Sequence, residues 1–196
     1  MNLRLSTHRI GYALVLLWLS VGVPSFAREV RCPQDYLQKK IINDLVASKS
    51  VVAIDRLWKT VVAPDAVTQL MYAVRRTQLD PTAKSERLLI AAMPADSVVF
   101  DLIYSLCCPK YEDVSEAVAE IAAGSWIDLA LQAVVRQGYG YSKILMLPYV
   151  GRHNADIGET IPCVLSELKD RAPRQYQSAF QGLPRTARER ICLECC

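Results

Sequence analysis

His153, Asp156 and Glu159 stand close together in the stretch Gly151-Arg-His-Asn-Ala-Asp-Ile-Gly-Glu159. A base with an orienting carboxylate beside it is what a hydrolase needs, and the same three side chains could serve a small metal site. A polar surface loop explains the grouping equally well. Ser166-Glu-Leu-Lys169 has the spacing in which a lysine activates a serine nucleophile, but neither the Ser-Asp-Asn nor the Lys-Thr-Gly motif that completes such a site is present. Cys192-Leu-Glu-Cys195 is formally a redox spacing. A working pair of this kind opens a helix beside a strand, where the dipole lowers the thiol pKa, whereas this one comes last in the sequence with no strand predicted near it. Zinc on Cys163, Cys192, Cys195 and Cys196 would lack the usual two paired spacings, so the reading assigns neither a metal nor a cofactor.

A second kind of chemistry is recognition. Gln137-Gly-Tyr-Gly-Tyr-Ser-Lys143 places two tyrosines beside flexible glycines, with Trp126 upstream and Tyr149 downstream. Tyrosine and tryptophan anchor interfaces because they supply large contact area with few rotatable bonds. Together with the polar stretch that follows, this gives a candidate partner-binding patch of Tyr139, Tyr141, Arg152, His153 and Asp156. Packing of helix ends is the competing explanation of the aromatics.

The first 27 residues carry the parts of a secretory leader in order. Arg4 and Arg9 are positive, Gly11 to Val23 is nearly all apolar, and small residues stand at Ser25 and Ala27. The apolar run is shorter than the roughly 20 residues that span a bilayer, so cleavage after Ala27 is expected, with 28–196 as one mature domain in the periplasm or outside the cell. All seven cysteines follow the leader, at Cys32, Cys107, Cys108, Cys163, Cys192, Cys195 and Cys196. An oxidising compartment makes disulfides their expected state, with one thiol left over. A C-terminal helix would put Cys192, Cys195 and Cys196 on one face, positioned to staple that helix to Cys163 and to Cys32 or the Cys107–Cys108 pair.

Charge narrows the partners. The 23 basic residues less Arg4 and Arg9 leave 21 against 20 acidic ones, a net of about +1, too balanced for nucleic acid. A local basic cluster at Arg171, Arg174, Arg185, Arg188 and Arg190 is diluted by Asp170, Glu189 and Glu194 and reads as a solvated face.

The elements that must position these residues are helices. The i, i+3, i+4, i+7 apolar spacing recurs at Ile54, Leu57, Trp58 and Val61; at Val67, Leu70, Met71 and Val74; and at Val99, Leu102, Ile103 and Leu106. Val114, Ala117, Val118 and Ile121 repeat it, as do Ile127, Ala130, Leu131 and Val134, and finally Ile161, Val164, Leu165 and Leu168. No alternating strand pattern competes. The predicted helices are 34–47, 50–62, 65–78, 82–93, 96–107, 111–123, 126–137, 142–150, 161–171, 174–181 and 186–195. Asp65, Asp80, Asp96 and Thr160 are expected as N-caps, Thr186 and Glu189 as a capping box, and Gly124, Gly138 and Gly182 as stops. The fold expected is therefore all-α and disulfide-stapled.

Residues 65–74 also align with 97–106 at an offset of 32, matching Val67 with Val99, Leu70 with Leu102 and Tyr72 with Tyr104. A period of that length holding short helical hairpins resembles a degenerate HEAT-like repeat, which implies a small α-solenoid. A compact helical bundle accounts for the same periodicity.

These features point to an exported protein-binding module, such as an immunity or inhibitor protein occluding a toxin or enzyme. The alternatives are a periplasmic hydrolase using the His153 loop and a structural or assembly factor of the cell envelope. Intact-mass measurement of the exported protein should give a chain starting at Arg28; retention of residues 1–27 would overturn the cleavage reading.

Overall fold

A computed structural model describes residues 36–106, 113–152 and 160–194, with the side chains of 36–38, 160 and 192–194 outside the description. Every described element is helical. The helices are α1 Tyr36–Ala47, α2 Val51–Trp58, α3 Ala66–Leu79, α4 Ala83–Ala92, α5 Ser97–Ser105, α6 Glu116–Glu120, α7 Trp126–Gln137, α8 Tyr141–Val150, α9 Thr160–Arg171, α10 Pro173–Gln181 and α11 Arg185–Glu194. Each falls within or within a residue of a predicted segment.

Side-chain caps set most of the starts. Asp65 accepts from the Thr68 amide at 2.7 Å, and Asp96 accepts from Val99 at 2.9 Å. Ser50 accepts from Ala53, and Thr82 and Ser85 cap reciprocally at the head of α4. Caps of this kind each contribute about 1 kcal/mol by satisfying an amide that the helix leaves open. Asp80, expected to start α4, instead ends α3, where its carboxylate takes a bond from Arg76. Thr160 is the first residue of α9 itself. The Thr186 box is not formed either: α11 already begins at Arg185, and Glu189 accepts from the Arg185 guanidinium at 2.6 Å. Gly124 does not stop a helix with a loop. At φ 120 it kinks one wide turn, Ile121–Ser125, that runs α6 directly into α7. The stretch Glu116–Gln137 is apolar and long enough to cross a membrane by composition alone, but over half of it is buried inside the fold.

One continuous core runs from Ile42 on α1 to Ile191 on α11. A smaller cluster, Leu45, Ile54 and Tyr72 with Trp58 and Leu57 against it, seats α2 on α1 and α3. Neighbours in space are not always neighbours in sequence: α1 packs on α6, α4 on α7, and α8 on α5, α10 and α11. A solenoid would keep each hairpin against the next. The arrangement is compact and all-α, and no HEAT-like repeat is identified among the described residues. The aligned positions show why: Val67, Leu70 and Tyr72 are buried on α3, while Val99, Leu102 and Tyr104 are only partly buried on α5, which buries Phe100, Ile103 and Leu106 instead.

Disulfides are absent among the described residues. Cys163 is an exposed free thiol on α9. The side chains of Cys32, Cys107, Cys108, Cys192, Cys195 and Cys196 lie outside the described set, so the staple on the last helix falls beyond it. Where it is described, α11 is held by packing on α8 through Ala187 and Ile191.

Helix α3 carries Arg76, the one buried arginine among the described residues. Arg76 donates from Nε to Asp55 at 3.1 Å and from a terminal nitrogen to Asp80 at 3.0 Å. The Tyr72 hydroxyl donates to the same Asp55 oxygen at 2.9 Å, and its ring stacks on Trp58 at 4.1 Å. Burial, reinforced by the Asp55 carboxylate, pushes the Tyr72 phenol from 10.0 up to about 12. Because the folded value is raised, the stability this group contributes is complete below pH 10 and is lost as pH climbs through about 12. In an ultraviolet absorbance titration a tyrosine phase should therefore appear near pH 12. Tyr72→Phe should remove that late phase, and its persistence in the variant would refute the assignment.

Candidate functional site

Arg136 and Gln137 end α7 with a shared anchor. Glu86 on α4 is 2% exposed, and its two oxygens accept from Arg136 Nε at 2.5 Å and Gln137 Nε2 at 2.7 Å. Both donors are needed, because a buried carboxylate without partners is strongly disfavoured. The helix then stops at Gly138, left-handed at φ 73, whose amide donates to Val134 O. Gly140 is left-handed too, at φ 88, and starts α8 without a side-chain cap. Lys143, one turn into α8, donates to the Ile90 and Ala91 carbonyls at 2.9 Å each. An ammonium on the open carbonyls at the end of α4 satisfies them and opposes the helix dipole. Desolvation by burial lowers the Lys143 pKa.

Tyr139 stands between the two glycines and is 44% exposed. Beside it an open groove of about 530 Å³ runs between the start of α8 and the outer face of α10. Gly138, Gly140 and Tyr141 line one side with Ser142; Arg174, Gln175 and Ser178 line the other with Ala179 and Gly182. Helix α10 leans on the core through Tyr176, Ala179 and Phe180, with the Tyr176 and Phe180 rings stacked at 6.1 Å. Its polar face is thereby left to the groove. Among the described residues Arg174 is the one charged lining residue, exposed and without a bonded partner. The groove offers hydroxyls, an amide and a guanidinium, which suits recognition; it brings no acid beside a base. Among the described residues no group of three His, Cys, Asp or Glu is placed to hold a metal.

The expected patch is distributed as follows. Tyr139 is on the surface, whereas Tyr141 is 8% exposed, part of the core as well as a groove wall. Arg152 follows α8 at its far end, about 15 Å along the helix axis from Tyr141. Its guanidinium donates to Tyr149 O at 2.8 Å and lies 4.8 Å above the Tyr149 ring. His153 and Asp156 lie outside the described residues.

Sequence reasoning placed α10 to within a residue but missed its part in the groove. It placed Arg174 in a solvated basic face, and two of its neighbours do behave that way, Arg171 pairing with Glu167 and Arg185 with Glu189. Arg174 has an acid four residues back, Asp170, but the helix breaks between them at Ala172 and Pro173. The proline was the available signal. Ser166 and Lys169, the serine–lysine spacing, are both exposed on α9, and Ser166 has no described bond to that lysine.

Comparison with protein-family models, with curated proteins and with solved structures gives no match.

The glycine pair sets the groove wall, so its substitution is a direct test. A Cβ on Gly140 would meet Ile90 Cγ2 at 2.7 Å and Val134 at 3.3 Å, while one on Gly138 would meet nothing within 4 Å. Gly138→Ala should cost about 1–2 kcal/mol from left-handed strain alone. Gly140→Ala adds overpacking, for a total of roughly 2–5 kcal/mol. Chemical denaturation giving equal losses at the two positions would contradict this wall geometry.

Proposed function

We propose that the chain is an exported protein-binding module that works by occlusion, as an immunity or inhibitor protein does to a toxin or enzyme. Its partner seats an acidic segment in the groove between α8 and α10. The observation that carries this reading is Tyr139, projected by two left-handed glycines at the lip of a groove whose one charged wall residue, Arg174, is unpaired. Tyrosine and arginine are the residue types in which interfaces concentrate their binding energy. An acidic partner residue would give Arg174 the charge-assisted hydrogen bonds it lacks. The leader read from residues 1–27 supports an envelope or extracellular setting for that partner.

The test is affinity purification of the protein from its native envelope, followed by quantitative binding of the co-eluting protein to variants. Tyr139→Ala and Arg174→Glu should each weaken binding on the order of 30-fold, the effect of removing an interface hot spot worth about 2 kcal/mol. Arg152→Ala, at the other end of α8, should have little effect. A partner bound equally well by all three variants would rule out the groove. A turnover activity abolished by His153→Ala with the fold intact would replace the binding reading with the hydrolase one.

A further inference from the structure

Helix α2 is two-faced. Inward, Ile54 is fully buried and Leu57 and Trp58 pack beside it, Trp58 flat against Tyr72. Asp55, the single carboxylate of α2, is turned the same way and held by Arg76 and the Tyr72 hydroxyl. Outward, Lys49 just ahead of the helix, then Val52, Ala53, Arg56 and Lys59, are all exposed. At 3.6 residues per turn, Val52, Arg56 and Lys59 fall within roughly 60° of arc. The turn that follows adds Val62. At 68% and 90%, Val52 and Val62 are the most exposed large apolar side chains among the described residues.

Among the described residues none of Lys49, Arg56 and Lys59 has an ion-pair partner. The nearest acids along the chain are Asp44 on α1, which is exposed, and Asp55, whose side chain is 39% exposed but bonded to Arg76. The fold thus ties the one negative charge of the helix to Arg76 and sets three cations without ion-pair partners among the described residues beside two solvent-facing valines.

We propose that this face of α2 docks the protein on an anionic lipid surface, with Lys49, Arg56 and Lys59 at headgroup phosphates and Val52 and Val62 entering the interfacial layer. Charge complementarity selects the occupant class, and residue type selects the lipid over a protein. The one large aromatic of α2, Trp58, is spent inward on Tyr72. Protein partners draw affinity from aromatic and arginine anchors seated in pockets. A lipid surface asks only for basic residues and apolar contacts on an exposed face. This surface is separate from the α8–α10 groove, and the proposal stands or falls independently of what binds there.

Vesicle co-sedimentation of the full chain tests it, using an equimolar mixture of phosphatidylglycerol and phosphatidylcholine against phosphatidylcholine alone. The N-terminal stretch carries Arg4 and Arg9 and itself favours anionic vesicles, so the charged face is isolated by comparing the parent with a variant that keeps this stretch. Each basic contact contributes roughly five-fold in partitioning. The triple variant Lys49→Gln, Arg56→Gln, Lys59→Gln should therefore lose on the order of 100-fold in binding to the anionic vesicles, with its helical circular dichroism unchanged. Binding by the parent should weaken as salt is raised, because screening shortens the reach of each charge. Arg174→Gln, in the groove, should bind the vesicles like the parent. Equal parental binding to both vesicle types would overturn the proposal. So would undiminished binding by the triple variant, or saturable binding of an acidic protein to the α2 face without any preference for anionic lipid.

Discussion

Helix α3 is buried on almost every side, and the rest of the fold is arranged around that burial. Val67, Leu70, Met71, Ala73 and Val74 meet α1, α4 and α5, while Tyr72 faces the small cluster beneath α2. A helix so enclosed cannot leave a cation unpaired, because transfer of an ion out of water is far more unfavourable than any packing gain could offset. Arg76 is therefore clamped between Asp55 and Asp80, and Thr77 bonds back to Ala73 O and across to Ser85 O. The same bonds that satisfy Arg76 fix α2 against α3 through Asp55. They also hold the turn into α4, since Asp80 O accepts from Ser85 Oγ while the Asp80 carboxylate is tied to Arg76. One enclosed guanidinium thus sets the position of helices on both sides of it.

From α4 outward the logic repeats with the signs exchanged. Glu86 is the enclosed charge, and its two donors fix the last turn of α7. Lys143 then fastens the first turn of α8 to the last turn of α4. Between those two fastenings the chain has only Gly138, Tyr139 and Gly140 in which to reverse, and it does so with both glycines left-handed. A side chain flanked in this way has little choice but to face solvent. The exposure of Tyr139 is a consequence of two buried electrostatic ties on α4, and the groove beside it exists because α10 closes over the core with its apolar side and leaves its polar side standing.

The two surfaces proposed here share that origin. In each, pairing sorts the charges: Asp55 is tied to Arg76 and the cations of α2 are left without it; Arg171 and Arg185 find carboxylates one helical turn away, and Arg174, cut off from Asp170 by the break at Pro173, does not. A chain whose basic and acidic residues nearly balance, 23 against 20, can therefore present positive faces locally. On these readings one face holds the protein at an anionic surface and the other meets an acidic partner. Both rest on charge that the core has left unpaired rather than on an excess in the composition.

Helix positions were legible in the sequence because a 3.6-residue apolar period is a local property. Ile127, Ala130, Leu131 and Val134, and Ile161, Val164, Leu165 and Leu168, are buried as the pattern requires. Caps at Asp65 and Asp96 were legible for the same reason, a side chain reaching its own helix three residues on. The failures are the places where a distant group competes. Asp80 answers to Arg76, Glu189 to Arg185, and α5 rotates its buried stripe to Phe100 because Trp126, brought in edge-on at 6.3 Å, lies on that side. Of the expected binding patch, the sequence singled out Tyr139 and its glycines. It could not supply Arg174, Gln175 and Ser178, because the groove they share with α8 forms between segments more than thirty residues apart. Periodicity and capping are written along the chain; which charges end up paired, and so which remain free to bind, is settled only when the helices pack.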